Sequence, residues 1–147
     1  MGKAILIGLF AIVVLIGGVL ILSCDPITKK CFGARVLGDA VLSEHLSPSD
    51  YKRELESGKY KLIDVRKEDE YKAGHIKNAN QKDYYKTEEF SEYLDSLDKN
   101  GKYLIYCRSG KRSSMTLELM EQKGFKNVSD LAGGISAWTL KNYPIEN

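Results

Sequence analysis

The chain has 147 residues, 43% of them hydrophobic, with 22 Lys and Arg against 20 Asp and Glu. That is the length of one domain plus an appendage. Residues 1–24 hold one Lys and no acid, so 21 basic residues face 20 acidic ones beyond them; a nucleic-acid binder carries a basic surplus or stripe, and no such partner is expected.

Met1-Gly2-Lys3 is a short positive leader. Ala4 to Leu22 is a run of 19 residues without a charge, rich in Ile, Leu and Val. A helix of that length spans the hydrocarbon core of a bilayer, so a membrane segment is predicted over residues 4–22. Ile21-Leu22-Ser23-Cys24 resembles a lipoprotein cleavage box, which makes Cys24 a lipidation candidate. Two readings stay open for residues 1–24, a transmembrane helix or a lipoprotein signal. In either, the soluble part is expected to be membrane-anchored and to face outward. Lys29, Lys30 and Arg35 roughly match the charge before the apolar run, so the positive-inside rule does not decide orientation.

Residues 25–44, with Pro26, Gly33 and Gly38, read as a linker, and a single domain is expected over 45–147. Ser47-Pro48-Ser49-Asp50 is a helix start: a serine cap, proline at the first helical position and an acid three residues after the cap. Tyr51 and Leu55 then share a face, and Gly58 stops the helix. Tyr60 to Val65 reads as a buried strand, and Glu68 to Ala73 as a short helical turn closed by Gly74. Phe90, Tyr93, Leu94 and Leu97 follow the i, i+3, i+4, i+7 spacing of an amphipathic helix, with Thr87 as cap. Tyr103 to Tyr106 is a strand. A helix follows from Ser113 and stops at Gly124. Asn127 to Leu131 is a further strand, and Ile135 to Tyr143 a final helix ended by Pro144. Strands alternating with helices of about ten residues predict βαβ units, a parallel sheet with helices on both faces, and ligands at the carboxyl ends of the strands.

Cys107 falls at such an end. It is followed at once by Arg108-Ser109-Gly110-Lys111-Arg112. Backbone N–H groups, a helix N-terminus and three fixed cations each favour thiolate over thiol. The plainer alternative is an inert cysteine closing a core strand, but a core cysteine has no use for three cations. Cys24, Cys31 and Cys107 are an odd set with no CxxC pair. A Cys24–Cys31 disulfide would leave Cys107 free. His45 and His75 lie far apart, so no metal site is expected.

Three segments together resemble the rhodanese family. Leu62-Ile63-Asp64-Val65-Arg66, then Glu70-Tyr71 and Gly74-His75-Ile76, resemble its first signature. Cys107-Arg108-Ser109-Gly110-Lys111-Arg112-Ser113 resembles the active-site loop of single-domain rhodaneses. Leu131-Ala132-Gly133-Gly134-Ile135 with Ala137-Trp138 resembles the C-terminal signature. The resemblance covers roughly residues 45–143. It implies an α/β fold with a five-stranded parallel sheet flanked by helices. It also implies a sulfurtransferase in which Cys107 carries a persulfide, with thiosulfate or a similar anion as donor and a thiol or cyanide as acceptor. No cofactor is implied. One departure stands out: Lys77-Asn78-Ala79-Asn80-Gln81-Lys82 replaces the apolar strand that the family carries there. Because that strand is a sheet edge, the fold should survive its change.

On this reading, main-chain N–H groups from Arg108 to Arg112 hold the persulfide anion as a nest. Gly110 permits the close approach or positive φ that such curling needs. Arg108, Lys111 and Arg112 steer an anionic donor, or alternatively are solvated charges and salt-bridge partners. By resemblance, Arg112 closes the loop's interior, and Ser109 lies within the substrate loop. Four residues separate Cys107 from Arg112; a dual-specificity phosphatase loop holds one more, so the smaller cradle resembles the sulfurtransferase form. Asp64, Arg66, Glu70 and His75 are read as structural ion pairs and hydrogen bonds, with Asp64 kept as a pocket candidate. Trp138 is read as core. Two further classes remain in view. One is a thiol redox protein, with Cys107 cycling through sulfenic acid or a mixed disulfide with Cys31. The other is a non-enzymatic interaction module, which would need neither the cysteine nor the cationic loop.

Overall fold

The computed structural model describes residues 12–15, 18–21 and 42–147. Its backbone divides into two units, Met1–Ala40 and Val41–Asn147. In the first, β1 (Ile12–Leu15) and β2 (Gly18–Ile21) pair antiparallel, with Ile12 opposite Ile21 and Leu15 opposite Gly18. Within the run 4–22, where a single helix was expected, the described residues are strands. Ile12, Val13, Val14, Val19 and Ile21 are β-branched and favour a strand, while Gly18 weakens a helix. Among the described residues no helix is long and apolar enough to cross a membrane. Cys24 and Cys31 lie outside the described residues, and so do the lipidation, disulfide and resolving-thiol readings attached to them.

The second unit runs β3 (Leu42–Leu46), α1 (Pro48–Glu56), β4 (Lys61–Asp64), α2 (Glu68–Lys72), β5 (Asn80–Gln81), α3 (Thr87–Asp95), β6 (Lys102–Tyr106), α4 (Lys111–Gln122), β7 (Asn127–Leu131) and α5 (Gly134–Leu140). The five strands form one sheet in the order β3-β7-β6-β4-β5, and every pairing is parallel. The strand that ends at Cys107 is therefore the central one.

Alternation along β6 divides the core. Tyr103, Ile105 and Cys107 face one side with Phe90, Leu94, Leu117 and Met120, so α3 and α4 cover that face. Leu104 and Tyr106 face the other side with Tyr51, Ile135 and Trp138, so α1 and α5 cover it. Each such large side chain taken out of water contributes roughly 1.5–3 kcal/mol, which is why two apolar faces suffice to seat these four helices. Trp138 is 2% exposed, and its Nε1–H donates to Pro144 O at 3.0 Å, as a core residue should.

Several ends follow from local chemistry. The Asp50 N–H donates to Ser47 Oγ at 3.3 Å, and Pro48 opens α1. Thr87 is the first helical residue of α3 rather than its cap, a position that Lys86 takes without a side-chain bond. The last helix stops at Leu140, with Asn142 at φ 56 closing the chain reversal.

Two edge strands depart from expectation. Leu42–Leu46 pairs with Asn127–Leu131 over its whole length and straddles the boundary placed between residues 44 and 45. Ser43, Glu44 and His45 give it no apolar pattern, and backbone pairing to β7 defines it. At the opposite edge, β5 is two residues long, with Asn80 opposite Ile63 and Gln81 opposite Asp64. The loss of apolar residues there shortens the strand and leaves the sheet intact.

Candidate active site at the end of the central strand

Cys107 directly follows β6 and is 1% exposed. Its sulfur accepts the Gly110 N–H at 3.2 Å. Gly110 sits at φ +96 in the cap position of α4, where no side chain can bond the first turn. A Cβ at Gly110 would also stand 3.2 Å from the Gly133 N. Glycine here does two things. It allows the left-handed turn, and it leaves the N-terminal amides of a twelve-residue helix to whatever anion the loop encloses.

The loop's carbonyls are turned the other way. The Ile135 N–H donates to Cys107 O at 2.8 Å, and the Ser136 N–H to Arg108 O at 3.1 Å. The start of α5 thus holds the two carbonyls that would otherwise crowd the sulfur. This contact needs Gly134, because a Cβ there would lie 2.5 Å from both Cys107 O and Arg108 O. The Gly133-Gly134 pair is in effect the back wall of the cysteine loop.

Arg112 closes the loop through a partner that no sequence spacing pointed to. Its Nη1 and Nη2 donate to Glu70 Oε2 and Oε1, both at 2.8 Å. The Lys67 N–H donates to the same Glu70 Oε2 at 3.2 Å. Bonding to Arg112 pulls the Glu70 carboxyl down to about 2. The Arg112 guanidinium is in turn held more firmly protonated, first by Glu70 and further by the nearby Cys107. Its fork is thus fixed and its charge is shared with a carboxylate. Arg108 and Lys111 are exposed, and neither has a carboxylate partner among the described residues. Ser109 is exposed beside them.

A second brace lies beneath the loop. Ser113 Oγ is 3.0 Å from Gly110 O and 3.0 Å from Asp130 Oδ2. Asp130 Oδ1 is 2.5 Å from His45 Nδ1. Burial pushes the Asp130 carboxyl up, while the bonds from His45 and Ser113 pull it down. A carboxylate inside the strand Asn127–Leu131 was the available sign of this brace, because a buried acid needs partners.

Asp64 does not line the site. It is fully buried, and both carboxylate oxygens take the Arg66 guanidinium, with Nη2 at 2.6 Å from Oδ2. Arg66 Nη2 also donates to Gly74 O at 2.8 Å. His75 stacks on Tyr71 at 3.7 Å and exchanges backbone bonds with Glu146. These residues form the structural network that the sequence suggested, and the pocket role considered for Asp64 falls away because its oxygens are already taken. Among the described residues no three or more His, Cys, Asp or Glu converge as a metal would require.

Two clefts flank the loop, with Arg108 between them. One, of about 580 Å³, is lined by Lys67, Asp69, Glu70, Tyr85 and Arg108 to Arg112 apart from Gly110. The other, of about 280 Å³, runs between Arg66, Gly74 and the start of α5.

The rhodanese-like domain model matches residues 47–141. The chain belongs to the rhodanese-like domain family. The rhodanese-like fold recurs in solved structures. A rhodanese-related protein from Thermoplasma volcanium is 26% identical with a TM-score of 0.61, over 70% of this chain and 97% of that one. A rhodanese-like domain protein from Staphylococcus aureus is 30% identical with a TM-score of 0.57, over 66% of this chain and 91% of that one. Among curated proteins, a tRNA uridine(34) hydroxylase from Chlamydia trachomatis is 35% identical over 103 residues, which is 67% of this chain and 32% of the relative. The chain thus spans about a third of the length of the curated relatives it matches.

Proposed function

We propose that the rhodanese-like domain is a sulfurtransferase that carries sulfane sulfur on Cys107. The observation that supports this most is the pairing of a thiol with an uncapped helix start: the sulfur already accepts the Gly110 N–H at 3.2 Å, and no side chain occupies the cap of α4. An anion formed on that sulfur gains hydrogen bonds that water would otherwise supply, inside a site walled off by α5.

In the first step the Cys107 thiolate attacks the outer sulfur of thiosulfate. The S–S bond of the donor breaks, and sulfite leaves with the electron pair. The Cys107 persulfide then carries its negative charge on the outer sulfur, about 2 Å beyond Sγ. In the second step cyanide or a thiolate attacks that outer sulfur, and the bonding pair returns to Cys107 as thiolate. Neither step needs a general base once the thiol is ionised, which agrees with Asp64 and His75 being occupied elsewhere. Arg108 and Lys111 draw the donor dianion in, and Arg112, tied to Glu70, keeps the loop in shape.

The name of the curated relatives refers to hydroxylation of a tRNA uridine. This chain corresponds to about a third of such a protein, and only the sulfur chemistry of the shared domain is assigned to it. A docking module would leave the glycine cap and the two loop cations unpaired among the described residues, Arg108 and Lys111, without a purpose. The test is thiocyanate formation from thiosulfate and cyanide. The parent should turn over with double-displacement kinetics, and Cys107→Ser should fall to background while keeping the parent's circular dichroism. Equal turnover by the folded variant would exclude Cys107 as the carrier.

A further inference from the structure

The larger cleft exceeds what a thiosulfate ion requires. Its volume of about 580 Å³ lies within the range that holds ligands of drug size, and it extends from the loop toward Lys67 and Tyr85, which belong to no part of the cysteine loop. Four cations line it against two carboxylates. One of those carboxylates, Glu70, is already committed to Arg112. Among the described residues Lys67, Arg108 and Lys111 have no carboxylate within ion-pair distance. Tyr85 is 59% exposed and meets Tyr84 edge-on with ring centroids 5.7 Å apart. Its ring is flanked by Lys67 Nζ at 5.5 Å and Arg112 Cζ at 5.6 Å from the centroid. Such contacts fix an ammonium in place without neutralising it. Lys67 thus lines the cleft against an aromatic ring, with no carboxylate at ion-pair distance among the described residues.

We propose that this cleft selects the sulfur acceptor, a small thiol carrying two or more negative charges, with Lys67 as the recognising cation and Tyr85 as the residue that positions it. The inference rests on the sulfurtransferase reading and specifies its second half-reaction. The acceptor thiolate attacks the outer sulfur of the Cys107 persulfide, the persulfide S–S bond breaks, its electron pair returns to Cys107 Sγ, and the acceptor leaves as its own persulfide. Sulfur is transferred with no net oxidation, and the thiol proton is lost to solvent before attack. The anionic groups of the acceptor meet Lys67, Arg108 and Lys111 while its sulfur points into the loop. A neutral thiol finds only the loop.

Two measurements separate this inference from the reading beneath it. In the first, protein loaded with thiosulfate is mixed with coenzyme A, a thiol with several phosphate charges, or with 2-mercaptoethanol, which has none. Lys67→Ala should raise the KM for coenzyme A about tenfold at low salt, equivalent to about 1.4 kcal/mol, and should leave 2-mercaptoethanol within twofold. Tyr85→Ala should shift the same way, and Tyr85→Phe should restore the parent value because the ring is kept. Equal effects on both thiols would overturn the inference while leaving sulfur transfer standing. In the second, calorimetry follows S-methyl coenzyme A binding to the unloaded protein, a readout that needs no sulfur chemistry. Binding weakened by Lys67→Ala supports the cleft even if Cys107 takes no sulfur, an outcome that would overturn the transferase reading alone. No binding, or tighter binding of a single-stranded RNA oligonucleotide than of the thioether, overturns the acceptor assignment.

Discussion

Arg112 and Glu70 show how much of this site rests on two side chains 42 positions apart. Arg112→Lys keeps the charge and loses the planar fork, so one of the two 2.8 Å bonds goes unmade. Turnover should fall by about tenfold or more, since small displacements of reacting groups are costly. A rate within twofold of the parent would mean that charge alone suffices at this position. Glu70 adds a pH signature. Its carboxyl is lowered from an ordinary 4.5 to about 2 in the folded protein. The folded state therefore binds its proton less readily than the unfolded state does. The resulting stability is complete above the unfolded value and is lost as the pH falls through the folded one. Urea unfolding of parent and Glu70→Gln should give a constant difference from pH 7 to about pH 5, shrinking below that toward pH 2. A difference that stays constant to pH 2 would contradict the assigned pairing.

Among the elements, the meeting of the cysteine loop with the start of α5 decides the shape of the site. Gly134→Ala forces a Cβ to within 2.5 Å of two loop carbonyls at φ +60, where the neighbours are backbone and cannot step aside. The variant should lose about 2–4 kcal/mol and most of its activity. Gly58→Ala is the control. Its φ is +68, but nothing lies within 4 Å of the added Cβ, so only the left-handed strain of about 1–2 kcal/mol applies and activity should persist. Similar losses in both would show that strain, not contact with the loop, is what Gly134 relieves. The element scale is also where sequence reading worked best. The chain β6, Cys107, glycine turn and α4 was legible because an apolar run, a cationic turn and a helical pattern follow one another without a gap. The Gly133-Gly134 pair was visible as a motif, though its role as the back wall was not. Glu70, Asp130 and His45 were missed as supports of the loop because tertiary pairing across the sheet leaves no periodic trace. The edge strand Leu42–Leu46 was missed for a related reason: Ser43, Glu44 and His45 are polar, and the strand is held by its neighbour's backbone.

For the molecule as a whole, the described contacts of the site lie within residues 42–147. His45 reaches Asp130 from the edge strand, so the unit that begins at Val41 should be the smallest that keeps the site braced. A chain starting at Val41 should unfold at the same temperature as the full-length protein within a few degrees. A chain starting at His45 loses most of the pairing between β3 and β7, and should be less stable by about 2–4 kcal/mol, the worth of several backbone hydrogen bonds. Equal melting temperatures would show that β3 is dispensable. The parallel sheet gives this unit one functional end, the carboxyl ends of its strands, and both flanking clefts open beside the loop there.

That one cysteine carries sulfur is the claim on which the rest depends, and intact-mass measurement of the protein tests it without assuming an acceptor. Thiosulfate should add the mass of a single sulfur atom to the parent and none to Cys107→Ser, and cyanide should then remove it. A folded Cys107→Ser protein that gains and loses sulfur as the parent does, or a parent that gains none, would contradict the account.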